Sequence, residues 1–438
     1  FLDTAIVIMG RKTMESIPKH FLPNRINIVI SKTYTENKED LHIVNNFNKA
    51  LKIANTYEGG KIWVIGGSSI YDMAFRHKDL NKIFITKING DFNCDTFVNL
   101  PKMKLINKIT FIEKETNTGV LHNLDYCEYI PLYNAEQEYL RLLEDIMTNG
   151  NLRQTRNAKV YSDFSRDIKF DVSKCFPLLT TKRMFWKGIV EELLFFIRGE
   201  TDTTKLSDKG VRIWEGNTTR EFLDMMGEKN NVFKSYNVGE MGPMYGYQWR
   251  YFNKPYGENN GGVDQWRYFN KPYGENNEGV DQFKNLIDLI KKDKHSRRLL
   301  MTDFNPAQAS EGVLYPCHSL ILQFYCNNNN LSIKMYQRSA DLFLGLPFNI
   351  ASTTLLLYIV AKLVNMNPHM VTLTLGDCHI YEQHIEQVKK QLSRLPHNLP
   401  TVTIPDFETI EQVEQSTLED YIVNNYECYP GIKAEMIA

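Results

Sequence analysis

The sequence predicts two folded parts of different class: an α/β domain over residues 1–131 with a largely parallel sheet, and an α+β domain over residues 132–438. Three observations carry this reading. In the first 131 residues, short apolar runs alternate with helix-like stretches, the pattern of parallel strands joined by crossover helices. An amphipathic segment, residues 134–147, opens just after Pro131, with Asn134 placed to cap it. Beyond it, apolar helices and strand-like runs are mixed without that alternation.

Taken in order, residues 5–9, 26–30, 61–65 and 82–85 read as buried strands, and residues 46–55 as a helix between them. The chain opens on Phe1 and enters a core strand almost at once, so the first domain is expected to lack its beginning. In the second part, residues 184–198 read as a helix carrying Glu191 and Glu192 beside an apolar run. Residues 283–292 form a helix that ends shortly before Arg297 and Arg298. Strands follow near 319–325 and 331–337, then an apolar helix over 350–364. No charge occurs from Leu342 to Ala361, nearly enough to cross a bilayer. Gly345, Pro347 and Asn349 at its start, with Asp341 and Lys362 at its flanks, favour a buried core helix instead.

One internal repeat stands out. Residues 248–264 and 265–281 are the same 17-residue segment twice, differing only at Gly261 and Glu278. Two copies do not make a solenoid, which needs about three stacked units. Their Gly, Asn and Pro content suits a surface loop. The repeat doubles the segment leading to the helix before Arg297, and could mis-set that helix.

Composition excludes whole classes. Lys plus Arg is 51 and Asp plus Glu is 52, a net charge of −1, which gives no electrostatic footprint for nucleic acid or a membrane surface. The seven cysteines are widely spaced and form no Cys-x-x-Cys, so reduced thiols in a cytoplasmic protein are the expectation.

Chemistry concentrates around Tyr315-Pro316-Cys317-His318. A thiol attacks only as thiolate, and nearby cations favour that form. A lone cysteine is more often a small buried hydrophobe; what singles out Cys317 is its company. Arg297 and Arg298 come shortly before it, and Gln337-Arg338-Ser339-Ala340-Asp341 shortly after. Arginine suits bidentate phosphate binding, so such a cluster would hold a phosphate and favour thiolate. His379 and Tyr381 point the same way on an extended segment, positioned to donate to sugar hydroxyls. The two Cys-His pairs, at 317–318 and 378–379, do not read as a metal site, because neighbours on a strand face opposite sides. Of Glu191 and Glu192, one at least should face the interior, where desolvation raises its pKa toward acid/base use. In the first domain, Gly66-Gly67-Ser68-Ser69 and Gly10-Arg11-Lys12-Thr13 each follow a strand and open a helix, an arrangement suited to pyrophosphate.

Together these motifs resemble the bifunctional dihydrofolate reductase–thymidylate synthases. The synthase likeness runs over about residues 134–438, through FPLLTTKR (176–183), EELLFFIRG (191–199), GPMYGYQWR (242–250), SRR (296–298), PCH (316–318), QRSADLFLGLPFNIAS (337–352), GDCHIY (376–381) and PGIKA (430–434). The reductase likeness runs over 5–130, through VIMGRKTMESIP (7–18), LPNRINIVISK (22–32), WVIGGSSIY (63–71) and IFITKI (83–88). The fold it implies is a partial dihydrofolate reductase fold followed by a thymidylate synthase fold.

The resemblance implies that Cys317 adds to C6 of dUMP, and that C5 then takes the methylene carbon of 5,10-methylenetetrahydrofolate. Hydride transfer from the folate gives dTMP and dihydrofolate. Glu192 and Tyr245 would assist proton movements. Arg156 and Arg338 would hold the phosphate, with Arg153 the fallback because the loop at 154–158 departs from the family's pattern. Arg297 and Arg298 would reach the other subunit of a homodimer. His318, Gln337, Ser339, Asp341, His379 and Tyr381 complete the nucleotide site. Asn349 would read uracil, which favours dUMP over the dCMP of a related hydroxymethylase; an inactive remnant is the other alternative. Trp214, Asp341, Gly345, Phe348 and Ile437 would meet the folate. In the reductase part, Arg25 would pair with a folate carboxylate. Gly10, Arg11, Lys12, Thr13, Ser31, Lys32, Ile65, Gly66, Gly67, Ser68, Ser69 and Tyr71 would line NADPH. The family's first strand and acidic helix precede residue 5, so this part is expected not to reduce dihydrofolate as the chain stands.

Overall fold

A computed structural model describes residues 5–34, 40–57, 60–77, 79–90, 92–101, 103–114, 119–131, 134–155, 158–256 and 279–437. The chain divides into two compact units, Phe1–Tyr133 and Asn134–Ala438.

The first unit runs β1 (Ala5–Gly10), α1 (Arg11–Ser16), β2 (Ile26–Ile30), β3 (Leu41–Val44), α2 (Phe47–Ala54), β4 (Lys61–Val64) and α3 (Ser68–Phe75). Its four strands form a parallel sheet in the order β3-β2-β1-β4. Unbroken apolar runs are what strands covered on both faces require, and β1 and β2 are so covered. The expectation of a buried strand at 61–65 is not met: β4 is an edge strand, and Lys61, Ile62 and Trp63 are exposed. Ile6, Ile8 and Ile28 pack with Phe47, Ala50 and Ile70, while Val7, Met9 and Val29 pack with Met14 and Leu41. Asn46 caps α2 by accepting from the Lys49 N–H at 2.8 Å. A second, antiparallel sheet joins β5 (Ile83–Ile88), β6 (Met103–Lys114) and β7 (Leu121–Pro131) in the order β5-β7-β6. Of these three strands the apolar pattern predicts only the first. The long hairpin β6–β7 carries interleaved polar and apolar residues, and β6 is exposed along almost its whole length.

The second unit runs α4 (Glu136–Asn149), β8 (Asn151–Gln154), β9 (Lys159–Asp171), α5 (Trp186–Ile197), α6 (Thr204–Ser207), α7 (Arg220–Gly227), α8 (Gly246–Tyr251), α9 (Gln282–Lys292), β10 (Leu300–Met301), β11 (Ile321–Asn327), β12 (Asn330–Asp341), α10 (Gly345–Leu363) and β13 (Asn367–Tyr381). A six-stranded sheet, ordered β10-β11-β12-β13-β9-β8, forms its frame. Only β12 and β13 pair parallel, and α10 connects them. That helix is the uncharged stretch of the sequence, and Leu346, Ile350, Leu355 and Ile359 are wholly buried in the unit's core. Glu136 at the start of α4 is buried too, and its carboxylate accepts from the backbone N–H and hydroxyl of both Thr180 and Thr181, at 2.6 to 2.9 Å. These four bonds fasten the 176–183 segment to α4, and they oppose the upward push of burial on the carboxyl.

The repeat contributes from both copies. Gln248, Trp249 and Arg250 of the first lie in α8. Asp281 of the second caps α9 through the Lys284 N–H and pairs with Arg250 at 3.0 Å, and Val280 bridges to Phe252. The start of α9 is therefore anchored, and the expected disturbance of that helix is not found. Residues 257–278, where the surface loop is expected, lie outside the described residues.

Candidate active site

Cys317 lies on the irregular segment that enters β11. Across from it, Tyr245 precedes α8 with φ of 40°, a conformation rare outside glycine. Its hydroxyl lies 3.5 Å from the Cys317 sulfur. The Tyr245 ring stacks on His318, with centroids 4.4 Å apart, and on Phe196 of α5 at 5.1 Å. The close approach of α8 to α5 depends on Gly246, because a Cβ there would stand 2.2 Å from the Phe196 carbonyl oxygen.

Electrostatics separate the two glutamates. Glu191 is held by Lys209 at 2.6 Å. Glu192 has no such cation among the described residues; it accepts from the Trp214 indole N–H at 2.8 Å, and burial pushes its carboxyl up to about 7. Burial likewise brings His318 down to about 4, so its imidazole is neutral near pH 7.

The expectation of a thiol made acidic by arginines is not met. Burial pushes the Cys317 thiol up, and nearby Asp303 adds to that push; the Tyr245 hydroxyl and Arg338 act against it without prevailing. Arg338 is not a buried charge seeking an anion. It is exposed, donates to the carbonyls of Pro316 at 3.1 Å and Tyr315 at 3.4 Å, and lies over the Tyr315 ring. Arg297 and Arg298 are exposed on the turn into β10, and among the described residues Arg338 is the arginine acting on the sulfur.

The other expected residues fall into groups. Asn349 and His318 line one small cavity of about 10 Å³ with Ser319, Trp249 and Ser352. Gln337 is buried, with its amide donating to the Ser339 carbonyl. Asp341 accepts from the N–H groups of Phe343 and Leu344 and so shapes the turn into α10, where Gly345 and Phe348 stand. His379 and Tyr381 do share a face of β13, their rings 5.1 Å apart. Asp377 accepts from His379 at 3.1 Å and pairs with Arg153, two contacts that lower its pKa. Arg156 lies outside the described residues. Ile437 is half-buried near the chain end, with no described hydrogen bond. Two polar groups here escaped sequence reasoning: Trp249, whose indole N–H has no partner among the described residues, and Asp303, neither of whose oxygens has one. A lone acid in the apolar stretch 299–304 was the available signal for Asp303.

In the first unit, the strand order sets β2, β1 and β4 side by side and parallel, so their C-terminal ends converge. This gathers Ser31 and Lys32, Gly10 to Thr13, and Ile65 to Ser69. The Gly10 N–H donates to the Gly66 carbonyl at 2.7 Å. Gly66 has φ of 112°, and a Cβ there would meet the Tyr71 ring at 3.0 Å. Arg11 donates to Thr33 at 3.0 Å, and Lys12 is exposed. Arg25 precedes β2, at the other end of that strand, and the fold does not bring it to these turns.

Comparison with known proteins matches residues 137–438 to the thymidylate synthase family and residues 3–129 to the dihydrofolate reductase family. A bifunctional dihydrofolate reductase-thymidylate synthase of Paramecium tetraurelia is 36% identical over 447 residues, covering 98% of this chain and 90% of that protein. Those of Plasmodium chabaudi and Leishmania major are 35% and 36% identical, covering 99% and 98% of this chain and 83% and 85% of theirs. The reductase match begins at residue 3, and neither the expected loss of that part's first elements nor its expected inactivity finds support in it. With both halves matched in order and relatives aligned across nearly the whole length, the chain belongs to the bifunctional dihydrofolate reductase–thymidylate synthase family.

Proposed function

We propose that the second unit converts dUMP to dTMP with 5,10-methylenetetrahydrofolate as carbon and hydride donor, Cys317 being the nucleophile. The observation that carries this reading is the grouping of Cys317, Tyr245 and His318, with Trp214 linking the Tyr245 ring to Glu192, a carboxyl that burial pushes up to about 7. Cys317 adds through sulfur to C6 of the pyrimidine, and electron density moves to C5. C5 bonds to the methylene carbon as that carbon's bond to folate N10 opens, and then gives up its proton with Tyr245 assisting. The electron pair left at C5 expels the folate at N5, the exocyclic methylene so formed takes hydride from the tetrahydrofolate, and the C6–S bond breaks, releasing Cys317, dTMP and dihydrofolate. Glu192, able to hold or release a proton at neutral pH, serves the pyrimidine carbonyl. Asn349 selects uracil, since its amide can accept from N3–H and donate to O4. Arg338 and Arg156 hold the phosphate, His379 and Tyr381 the sugar. Trp214, Asp341, Gly345, Phe348 and Ile437 meet the folate.

A homodimer belongs to the same reading, with Arg297 and Arg298 reaching the partner's phosphate site. The exposed face of the six-stranded sheet supports it: Ile321 and Tyr325 on β11 are 49% and 66% exposed, and a second copy would cover them.

For the first unit we infer that NADPH lies along the converging turns. Glycine at 10 and 66 keeps the two turns close-packed, since a Cβ would press on Ile70 and Tyr71 respectively, and bare backbone at the start of a helix suits a pyrophosphate. When bound it supplies hydride; Gly10 to Thr13, Ser31, Lys32 and Ile65 to Ser69 hold and orient it.

Tritium release from 5-labelled dUMP in the presence of methylenetetrahydrofolate tests the synthase reading. The chain should release label and a Cys317→Ser variant should not. Equal silence in both would end it.

A further inference from the structure

Three neighbouring strands converge on His379. It pairs with Ser162 across β13 and β9, and Arg153 lies on β8, the next strand out. The Arg153 Nε donates to the buried Ser162 hydroxyl at 2.7 Å, and its Nη2 pairs with Oδ2 of Asp377. The other oxygen of Asp377, Oδ1, lies 3.1 Å from Nδ1 of His379. Residues 377 and 379 project from the same face of β13, which lets the carboxylate reach the ring. The His379 ring is buried and stands edge-on to Tyr381, at 81°. Its second nitrogen, Nε2, has no hydrogen-bond partner among the described residues.

A carboxylate can only accept, so the hydrogen between Asp377 and His379 sits on Nδ1. The bonds from His379 and Arg153 also draw the Asp377 carboxyl below its ordinary pKa, which keeps it ionised near pH 7. A neutral imidazole carries one N–H; with that hydrogen on Nδ1, the lone pair is at Nε2. We propose that Asp377, fastened by Arg153, is a positioning residue that fixes this tautomer, so that His379 accepts a hydrogen bond from the free hydroxyl of the nucleotide's sugar. The ring accepts where the sequence suggests that it donates. The inference rests on the reading of this site as the dUMP site, and deepens it. The sugar of dUMP has a single free hydroxyl, at 3′, with one hydrogen to give; giving it to Nε2 leaves the oxygen for the Tyr381 hydroxyl. A site built in this way selects nucleotides that can donate at 3′. It rejects those that can only accept there, because Nε2 then loses its water and gains no partner. Arg153 and Asp377 are half-exposed, so their ion pair adds little stability of its own. Its effect is directional: it occupies Oδ2 and leaves Oδ1 for the ring.

The test has two readouts on the intact chain, taken at about pH 8, above the ordinary histidine pKa. Nitrogen-15 NMR of the histidine-labelled protein, with His379→Gln to identify the signal, shows which ring nitrogen carries the hydrogen. Calorimetric titration compares binding of dUMP with that of its 3′-deoxy-3′-fluoro analogue, which cannot donate. The unaltered chain should show a bare Nε2 and bind dUMP about tenfold more tightly than the analogue. In Asp377→Asn the amide oxygen turns to Arg153, the amide N–H faces Nδ1, and the hydrogen moves to Nε2. The ratio between the two nucleotides should then fall toward one. A hydrogen on Nε2 in the unaltered chain overturns the proposal, as does an unchanged ring or ratio in folded Asp377→Asn. Should that variant not fold, the unaltered chain decides by the same two readouts. If dUMP itself does not bind, the reading of the site falls and this inference with it; if dUMP binds and the fluoro analogue binds equally well, this inference alone falls.

Discussion

Replacing Trp214 by Phe should move the synthase pH profile toward alkali. The indole N–H donates to Glu192 at 2.8 Å, and it is the contact that holds the carboxyl down against burial. Phe keeps an aromatic ring beside Tyr245, 5.9 Å away by centroid, and removes only the donor. A hydrogen bond to a charged group is worth about 1.5–3 kcal/mol, or roughly one to two pKa units. Glu192 titrates at about 7, so the variant's midpoint should lie about one to two units higher. Tritium release from labelled dUMP, measured against pH at saturating folate, reads that midpoint. Stability gives a second readout, with the sign as follows. Glu192 rises from 4.5 unfolded to about 7 folded, so the native state keeps a proton that the unfolded chain has lost, and stability falls as pH rises through that window. In the variant the fall should continue to higher pH. A midpoint that stays put or moves toward acid would refute the assignment of Glu192 as the titrating group and Trp214 as its partner.

Three further outcomes follow from particular contacts. Gly246→Ala drives a methyl into the Phe196 carbonyl and should cost about 3 kcal/mol or more in urea unfolding, with tritium release lost as Tyr245 leaves its place. Asn349→Asp exchanges an amide for a carboxylate, which accepts from the cytosine amino group, so relative turnover of labelled dCMP over dUMP should rise. Deleting residues 265–281 sets Asp264 directly before Gln282, where it can cap α9 and meet Arg250 as Asp281 does; dUMP turnover should be retained, and its loss would show that the second copy has work of its own.

How much of this was written in the sequence depends on what each pattern encodes. The parallel strands of the first unit were legible because covered strands carry unbroken apolar runs, as residues 5–9 and 26–30 do. Helix α10 was legible for the same reason. The β6–β7 hairpin was not, because apolar residues such as Ile109 and Ile112 sit exposed among charges and break any period. At the site, residue types pointed to Cys317 and to the pair Glu191 and Glu192, and the family resemblance to Glu192 and Tyr245, yet they could not rank opposing effects. Arginines near a cysteine suggested an acidic thiol; three-dimensional burial outweighs Arg338 and reverses the sign. Which of two adjacent glutamates stays unpaired was equally hidden, since it turns on Lys209, 18 residues from Glu191. The convergence of the Gly10 and Gly66 turns required strand order, which no local pattern contains.

The central claim is that the Cys317 sulfur bonds covalently to a uracil nucleotide. Incubating the intact chain with 5-fluoro-dUMP and methylenetetrahydrofolate, then measuring its mass, tests this most directly. The account predicts a shift equal to both ligands, located on the peptide holding Cys317 and absent from Cys317→Ser. An unchanged mass in folded protein, or an adduct on another residue, would contradict it.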